Sequence, residues 1–392
     1  MQLTFDDEVE AFREEFVAFL DEHLPQEAEA AGERSRSTAH IPEWARRWQR
    51  LQFDHGWFLP GNPPEFGGRN ADILCQFVHR EELSRRRIYH AFNPQGVGII
   101  AASLITFGTD QQKQKWAIPI LRGEMTASLG MSEPGAGSDL AGLSTKADLD
   151  GDHFVVNGQK VWTSGAHDAD VLLAFVRTDR KAPRHKGISA VLIPTDTPGV
   201  RRRPFASVLD RDSLDFNEVF FTDVRVPVEN LVGPLNGGWR VANGSLGHER
   251  TMMWTAFANR LEQLLEDFRP VGEVERDSYA TIAMDYQALR LMGSAALGQA
   301  ARGERDIPGV SVLKLFGSEA EQSAFRVALD ASGLEGLRSP APTSPYNPYF
   351  PDLFAGGWSA RYISTYAGTI SGGTSEIQRN IIAQRVLGLP AG

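Results

Sequence analysis

Cysteine is nearly absent from this chain of 392 residues: Cys75 stands alone. One thiol cannot close an internal disulfide, so the fold must rest on its core, and the chain suits a reducing compartment. The neighbours Leu74 and Phe77 mark Cys75 as an ordinary buried thiol. A basic excess is also missing. Lysine and arginine total 40 against 50 acidic residues, a formal net charge of −10. That argues against nucleic acid, whose partners carry a basic face. No apolar run approaches the ~20 residues of a membrane span. The start, Met1 to Glu8, is acidic and has no basic segment ahead of an apolar stretch, so no signal peptide is visible and a cytoplasmic location is expected. Metal-ligating spacings of Cys and His are missing as well, as are Walker, Rossmann and G-x-S-x-G glycines. The run Gly233 to Gly238 lacks the strand–loop–helix setting that phosphate-binding glycines need. What remains, 42% hydrophobic and 23% charged, is ordinary for a globular chain long enough for two or three domains.

Periodicity divides the chain into three. Phe5, Val9, Phe12, Phe16 and Phe19 recur at steps of four and three, an apolar helical stripe that ends before Pro25. Pro42-Glu43-Trp44 opens a second helix, residues 62–68 read as a loop, and helical patterns resume through Leu83 and again through Ile100, Leu104 and Ile105. Residues 1–123 are therefore expected to be all-helical. Strand signals follow: a hairpin over His153 to Trp162 turning at Asn157-Gly158, then Val171 to Val176, Ile188 to Ile193 and Val219 to Val226. These predict an antiparallel, β-barrel-like domain over 124–232. After Gly233-Pro234 helices return. The seams Ile282, Tyr286, Leu289, Gly293, Ala296, Ala300 and Phe316, Ala320, Ala324, Val327 suit a bundle over 233–392. Residues 338–357, rich in Pro, Ser and Gly, read as an irregular excursion, and the last helix begins near Ser375. The fold class is α+β, in several domains.

The chain's organising stretch is Met131-Ser132-Glu133-Pro134-Gly135-Ala136-Gly137-Ser138-Asp139. Pro134 fixes one φ, the glycines allow close approach of another molecule, and two serines bring hydroxyl donors. Alone it reads as a tight connection. Two further runs change its meaning: Trp162-Thr163-Ser164-Gly165, and Gly372-Gly373-Thr374-Ser375-Glu376-Ile377-Gln378-Arg379-Asn380. Together, in this order and over essentially the whole chain, they resemble the acyl-CoA dehydrogenase family, whose architecture is also α, β, α.

The resemblance implies FAD as cofactor. Donors at Met131 and Ser132 would meet the flavin's pyrimidine edge and stabilise negative charge there. Trp162 would cover one flavin face, Ser164 would donate near N5, and Thr374 and Glu376 would meet the cofactor at the start of the last helix. Ser138 falls where the family contacts coenzyme A. The implied reaction is α,β-dehydrogenation of an acyl-CoA thioester: a carboxylate takes the α proton while a hydride leaves the β carbon for flavin N5. Electron-transfer flavoprotein, or a similar acceptor, would reoxidise the flavin. Many members carry the base just before the Gly-Thr of the late motif, but here Gly372 holds that position. A minority carry it as a Glu-Arg pair on a C-terminal helix, matching Glu249-Arg250. The resemblance thus gives Glu249 as base and Arg250 as an orienting neighbour, with Gly372 and Gly373 offering backbone to the thioester carbonyl.

Two motifs that homo-oligomeric relatives lend to a partner's FAD are degraded. One is reduced to Arg276-Asp277-Ser278-Tyr279-Ala280, and the other reads Asp330-Ala331-Ser332-Gly333-Leu334-Glu335-Gly336, which sets an acidic, bulky group towards a pyrophosphate. Such asymmetry is similar to the catalytic chain of actinobacterial α2β2 acyl-CoA dehydrogenases of steroid side-chain degradation, and implies a homologous sister chain; a homo-oligomer is the other arrangement open. The implied substrate is a bulky or branched acyl-CoA. A related flavoenzyme of nitroalkane oxidase or monooxygenase type, and a non-catalytic partner subunit, are the rival readings.

Overall fold

The computed structural model describes residues 5–208, 214–304, 307–338, 346 and 357–390, and of residues 245–251 and 307–308 the backbone alone. The 338–357 excursion and the side chains of Glu249 and Arg250 therefore lie outside the described residues. In chain order the helices are α1 (Asp7–His23), α2 (Glu27–Gly32), α3 (Glu43–Asp54), α4 (Ile73–Arg85), α5 (Ala102–Phe107), α6 (Asp110–Gln112) and α7 (Ile118–Leu121) before the sheet. After it come α8 (Gly238–Asp267), α9 (Glu273–Ala301), α10 (Ile307–Ser332), α11 (Trp358–Ile370) and α12 (Ser375–Ile381). Between them run β1 (Ala127–Gly130), β2 (Lys146–Asp150), β3 (His153–Lys160), β4 (Val171–Arg177), β5 (Ile188–Pro194), β6 (Val200–Phe205), β7 (Phe216–Pro227) and β8 (Leu231–Val232).

The chain forms two compact units: 1–71 with 88–247, and 72–87 with 248–392. The first holds the sheet. Asp6 caps α1 by accepting from the Val9 N–H at 3.0 Å, and acidic residues fill the first turn, where the helix dipole favours them. Val9, Phe16 and Phe19 of the inward stripe are buried, as the periodicity predicts. Strands β4 and β5 are buried on both faces over six residues each, which explains why they read as unbroken apolar runs.

Two expectations for this region are corrected. The sheet runs β6-β7-β3-β2-β4-β5-β8, with β1 on β4, so it is an open path and not a closed barrel. It is also mixed: β1 pairs parallel with β4, and Lys146 of β2 pairs parallel with Arg177. Parallel pairing needs a long connection, and the Met131–Leu143 segment followed by β2 and β3 supplies it. Second, Asn157-Gly158 is not a turn. Both lie inside β3, where the register against β7 shifts between Val156 and Gly158. Gly158 has φ +148°, and a Cβ there would stand 2.5 Å from Thr145 Oγ1, so the glycine allows that close approach, while the bulge itself is on β7, where Thr222 and Asp223 face Asn157. Asn157 and Asp223 exchange two hydrogen bonds across that irregularity, at 3.0 and 2.9 Å. The hairpin turn is Gly151, φ +64°, between β2 and β3.

The second unit packs α4, the α8 stretch from His248, α9, α10, α11 and α12. Its core is Trp254, Phe257, Leu261, Leu264, Ile282, Leu289, Leu313, Ala324 and Phe325. The predicted seams point inward: Ile282, Tyr286, Leu289, Gly293, Ala320 and Ala324 are buried. Small residues are required there. A Cβ on Gly293 would lie 2.3 Å from the Trp254 ring, and one on Gly317 would lie 2.8 Å from Phe257. Gly293→Ala is therefore expected to cost about 1–3 kcal/mol through overpacking, against the gain a helix usually takes from alanine. Urea denaturation checks this; an unchanged or raised midpoint would mean that Trp254 can move aside.

Candidate active site

The first cluster grows from the end of β1. Past Gly130 the chain turns tightly, Glu133 N–H to Ala136 O at 2.9 Å and Ala136 N–H to Glu133 O at 3.0 Å. Glu133 is buried, and its carboxylate accepts from the Ser144 N–H and hydroxyl at 2.7 and 2.8 Å and from the Thr145 N–H at 2.9 Å. It also accepts from the Lys160 ammonium at 2.8 Å. Lys160, the last residue of β3, has a fully buried side chain and donates again to the Met131 carbonyl at 3.0 Å. Burial pushes the Lys160 amine down to about 8 despite Glu133 beside it. Burial would raise Glu133, but the Lys160 charge and the surrounding donors prevail and hold it at about 2. Both groups are charged at neutral pH.

Two residues on stands Trp162. Its φ of +61° is a strained setting for a bulky residue, of order 1–3 kcal/mol, and it is 59% exposed. Phe205 and Phe216 meet it edge-on at 5.2 and 5.4 Å. The surroundings hold this conformation. Val161 N–H donates to Ser132 O at 2.9 Å, Thr163 N–H to Asn217 O at 3.2 Å and Gly165 N–H to Asp215 O at 2.7 Å. The Asn217 amide returns to Thr163 O at 3.1 Å. Residues before α3 add a strap: Arg36 and Ser37 donate to Asp168, and Thr38 donates to Asp215 through its N–H and hydroxyl. Asn93 ties that strap to β1 by donating to Thr38 O and Ala127 O.

Donors are left over in this cluster. Ser132 N–H and the Ser164 hydroxyl find no acceptor among the described residues, and both residues are only partly buried. An exposed aromatic face beside unpaired donors suits a planar ring with a hydrogen-bonding edge, so these residues fit a flavin. Met131, Ser132, Trp162 and Ser164 are thus brought together. Ser138 is exposed farther along the loop, next to the Asp139–Arg184 ion pair.

The second cluster belongs to the second unit. Thr374 caps α12, its hydroxyl accepting from Ile377 N–H at 3.3 Å. Gly372 and Gly373 have φ +65° and +98°. Gln378 donates to Gly372 O at 3.1 Å, and Lys314 donates to Gly373 O at 2.6 Å. Gly372 N–H has no acceptor among the described residues. Glu376 is exposed on the first turn; its own N–H and then the Thr374 hydroxyl lower its pKa. A Cβ on Gly372 would approach Met253 Cε at 3.9 Å, so α8 runs beside this turn at Met253, one helical turn beyond Glu249.

Sequence reasoning missed the supports: Glu133, Lys160, Asp168, Asp215, Asn217, Lys314 and Gln378. One carried a readable signal. Phe154, Val156 and Lys160 share the inward phase of β3, and a charge on an inward phase demands a partner.

Family models for acyl-CoA dehydrogenase match the chain in three parts: the N-terminal domain over residues 6–124, the middle domain over 128–224 and the C-terminal domain over 236–387. The acyl-CoA dehydrogenase IpdE1 of Mycobacterium tuberculosis is 35% identical over 98% of both chains. Among solved structures, the Tcur3481-Tcur3483 steroid ACAD is similar at TM-score 0.81 and 30% identity over the full length of both chains. The ChsE4-ChsE5 complex from Mycobacterium tuberculosis is similar at TM-score 0.80 and 28% identity, again over both full lengths.

The Glu133–Lys160 pair has a pH signature. A carboxyl depressed in the folded state adds stability that is present above its unfolded value of 4.5 and is lost as pH falls towards about 2. Glu133→Gln is expected to be less stable than the parent by roughly 3 kcal/mol at neutral pH. That gap should narrow over the same acid range. Urea midpoints of the two proteins across that range check this, and a constant gap would contradict it.

Proposed function

The chain belongs to the acyl-CoA dehydrogenase family and is an acyl-CoA dehydrogenase; on that premise we propose that it is the FAD-holding, catalytic chain of a heteromeric enzyme that dehydrogenates a bulky or branched acyl-CoA, such as a steroid side chain. The observation that carries this reading is Trp162, strained and exposed beside the unpaired donors of Ser132 and Ser164. Strain of this kind persists where function uses the conformation.

In this reading Met131, Ser132, Trp162, Ser164, Thr374 and Glu376 hold FAD, which when bound supplies the acceptor for the β hydride. The work of the chain itself is to hold the thioester and move one proton. Glu249 takes the α proton, and Arg250 orients the site. Gly372 N–H, which has no acceptor among the described residues, donates to the thioester carbonyl where negative charge grows, and the Gln378 and Lys314 bonds to Gly372 O and Gly373 O keep that turn in place. Met253 next to Gly372, one turn after Glu249, supports the assignment of the base. Ser138 meets the coenzyme A portion. The functional division is taken as 1–123, 124–232 and 233–392, working in the cytoplasm with electron-transfer flavoprotein or a similar acceptor.

The sister chain is supported by the degraded lending motifs. Asp330 faces Arg326 at 3.6 Å on α10, and Leu334 is 84% exposed just beyond it. Tyr279, at the aromatic position of the other motif, donates to Leu265 O at 3.0 Å and so serves its own unit. The relatives whose names describe a two-component steroid enzyme and a ChsE4-ChsE5 complex support the same arrangement and the steroid-like substrate.

Glu249→Gln is expected to retain FAD and lose ~10²–10⁴-fold in turnover with an artificial electron acceptor. Full activity would remove Glu249 as the base. A panel of CoA thioesters, from short straight chains to steroid side chains, is expected to favour the bulky end; preference for short straight chains would remove the substrate assignment. Co-expression with a homologous sister chain is expected to raise FAD occupancy, whereas stoichiometric FAD on the lone chain would remove the heteromer.

A further inference from the structure

Lys160 and the peptide between Met131 and Ser132 form one electrical unit. The buried ammonium donates to Met131 O at 3.0 Å. That carbonyl and Ser132 N–H belong to the same peptide group, and in a trans peptide they point in opposite directions. Ser132 N–H therefore faces away from Lys160, and it is the group left without an acceptor among the described residues. A cation on the oxygen of an amide draws electron density from the nitrogen and strengthens its N–H as a donor, as in any chain of polarised hydrogen bonds. Burial keeps water from screening the effect.

We propose that Lys160 is a positioning and tuning residue: it polarises the Met131–Ser132 peptide so that Ser132 N–H binds the reduced, negatively charged flavin more tightly than the oxidised one. The inference rests on the flavin reading of this cluster and adds to it a residue that never touches the ring. Glu133 has a different part. It neutralises Lys160 enough to allow burial and, through Ser144 and Thr145, fixes the place where the ammonium sits.

The two residues therefore predict opposite shifts of the flavin's midpoint potential. In Glu133→Gln, measured like the parent at an acidic pH where the amine keeps its proton without the carboxylate, the ammonium on Met131 O has less compensating charge, so the potential holds or rises. In the double variant Lys160→Met with Glu133→Gln, no buried charge is left unpaired, the fold is retained, and the peptide loses its polarising cation. The preference for reduced over oxidised flavin should fall roughly tenfold, about 30 mV to the negative side for a two-electron couple.

The experiment is a dye-equilibrated potential measurement on the FAD-loaded parent and both variants, with circular dichroism as the check on folding. A negative shift in the double variant without one in Glu133→Gln supports the proposal. An unmoved potential in a folded, flavin-loaded double variant overturns it. Should the double variant fail to fold, Glu133→Gln decides alone, since a potential more negative than the parent's is the opposite of what the cation predicts. A parent protein that takes up no flavin, alone or co-expressed with a sister chain, overturns instead the proposed function beneath it.

Discussion

Two charges with almost no access to water, Lys160 and Glu133, set the geometry on which the candidate site depends. Such a pair is a poor way to gain stability, because the cost of stripping water from both ions rivals their attraction. Its effect is registration. Lys160 ends β3 and reaches the Met131 carbonyl just past β1, while Glu133 reaches Ser144 and Thr145 just before β2. Three chain segments are thereby fixed to one point. A one-residue slip of β3 would carry Lys160 to the opposite face of the sheet and leave Glu133 buried without its cation. The bulge opposite Asn157 has to be read with this in mind. Its extra residue lies on β7, where Thr222 and Asp223 face Asn157 alone, so β3 keeps its alternation and Lys160 stays on the inward side with Phe154 and Val156.

The strain at Trp162 follows from the same registration. Val161 N–H is committed to Ser132 O, and Thr163 N–H to Asn217 O, so the residue between them has little freedom in its backbone. Gly372 solves a related problem by other means. Among the described residues a Cβ there would meet only Met253 Cε, at 3.9 Å, so these do not demand a glycine; the φ of +65° does. A carboxylate-bearing residue would fit the volume and resist the backbone. That is a physical ground for the proposal that the base stands on the neighbouring helix, which includes position 249.

Much of the fold was legible in the sequence because burial on one face leaves a period. The stripe of α1, the double-sided runs of β4 and β5 and the small-residue seams of α9 and α10 all show it. The Asn-Gly pair misled because its composition is shared by a turn and a strand facing a bulge, and only the partner strands, with Thr145 and Asp223 beside it, distinguish them. Sheet closure and parallel pairing depend on strands far apart in the chain, which local periodicity does not encode. At the site, the loops that carry glycine, serine and tryptophan were visible as motifs. Their supports were not, since Asp168, Asp215 and Asn217 act through partners distant in sequence, as the Arg36–Asp168 bond illustrates. Lys160 stands between these cases: its inward phase was visible, but its partner was not.

The two lysines that support the site show why its halves place different demands on a partner. Lys160 and Lys314 both donate to a loop carbonyl, Met131 O in one case and Gly373 O in the other. Each acts within its own unit, and each fixes a turn with an N–H that has no acceptor among the described residues, Ser132 in one case and Gly372 in the other. The residues proposed to meet a flavin therefore have these supports within this chain. The segments that would serve another chain's flavin are built otherwise. They end in the exposed Leu334, and in Asp330 and Glu335, whose cations Arg326 and Arg338 come from their own neighbourhood. Acidic groups already paired locally gain nothing from a second anion, and a pyrophosphate brought to them would meet repulsion. A homodimer would place that repulsion at both of its sites, whereas a sister chain carrying the lending motifs would place it at none.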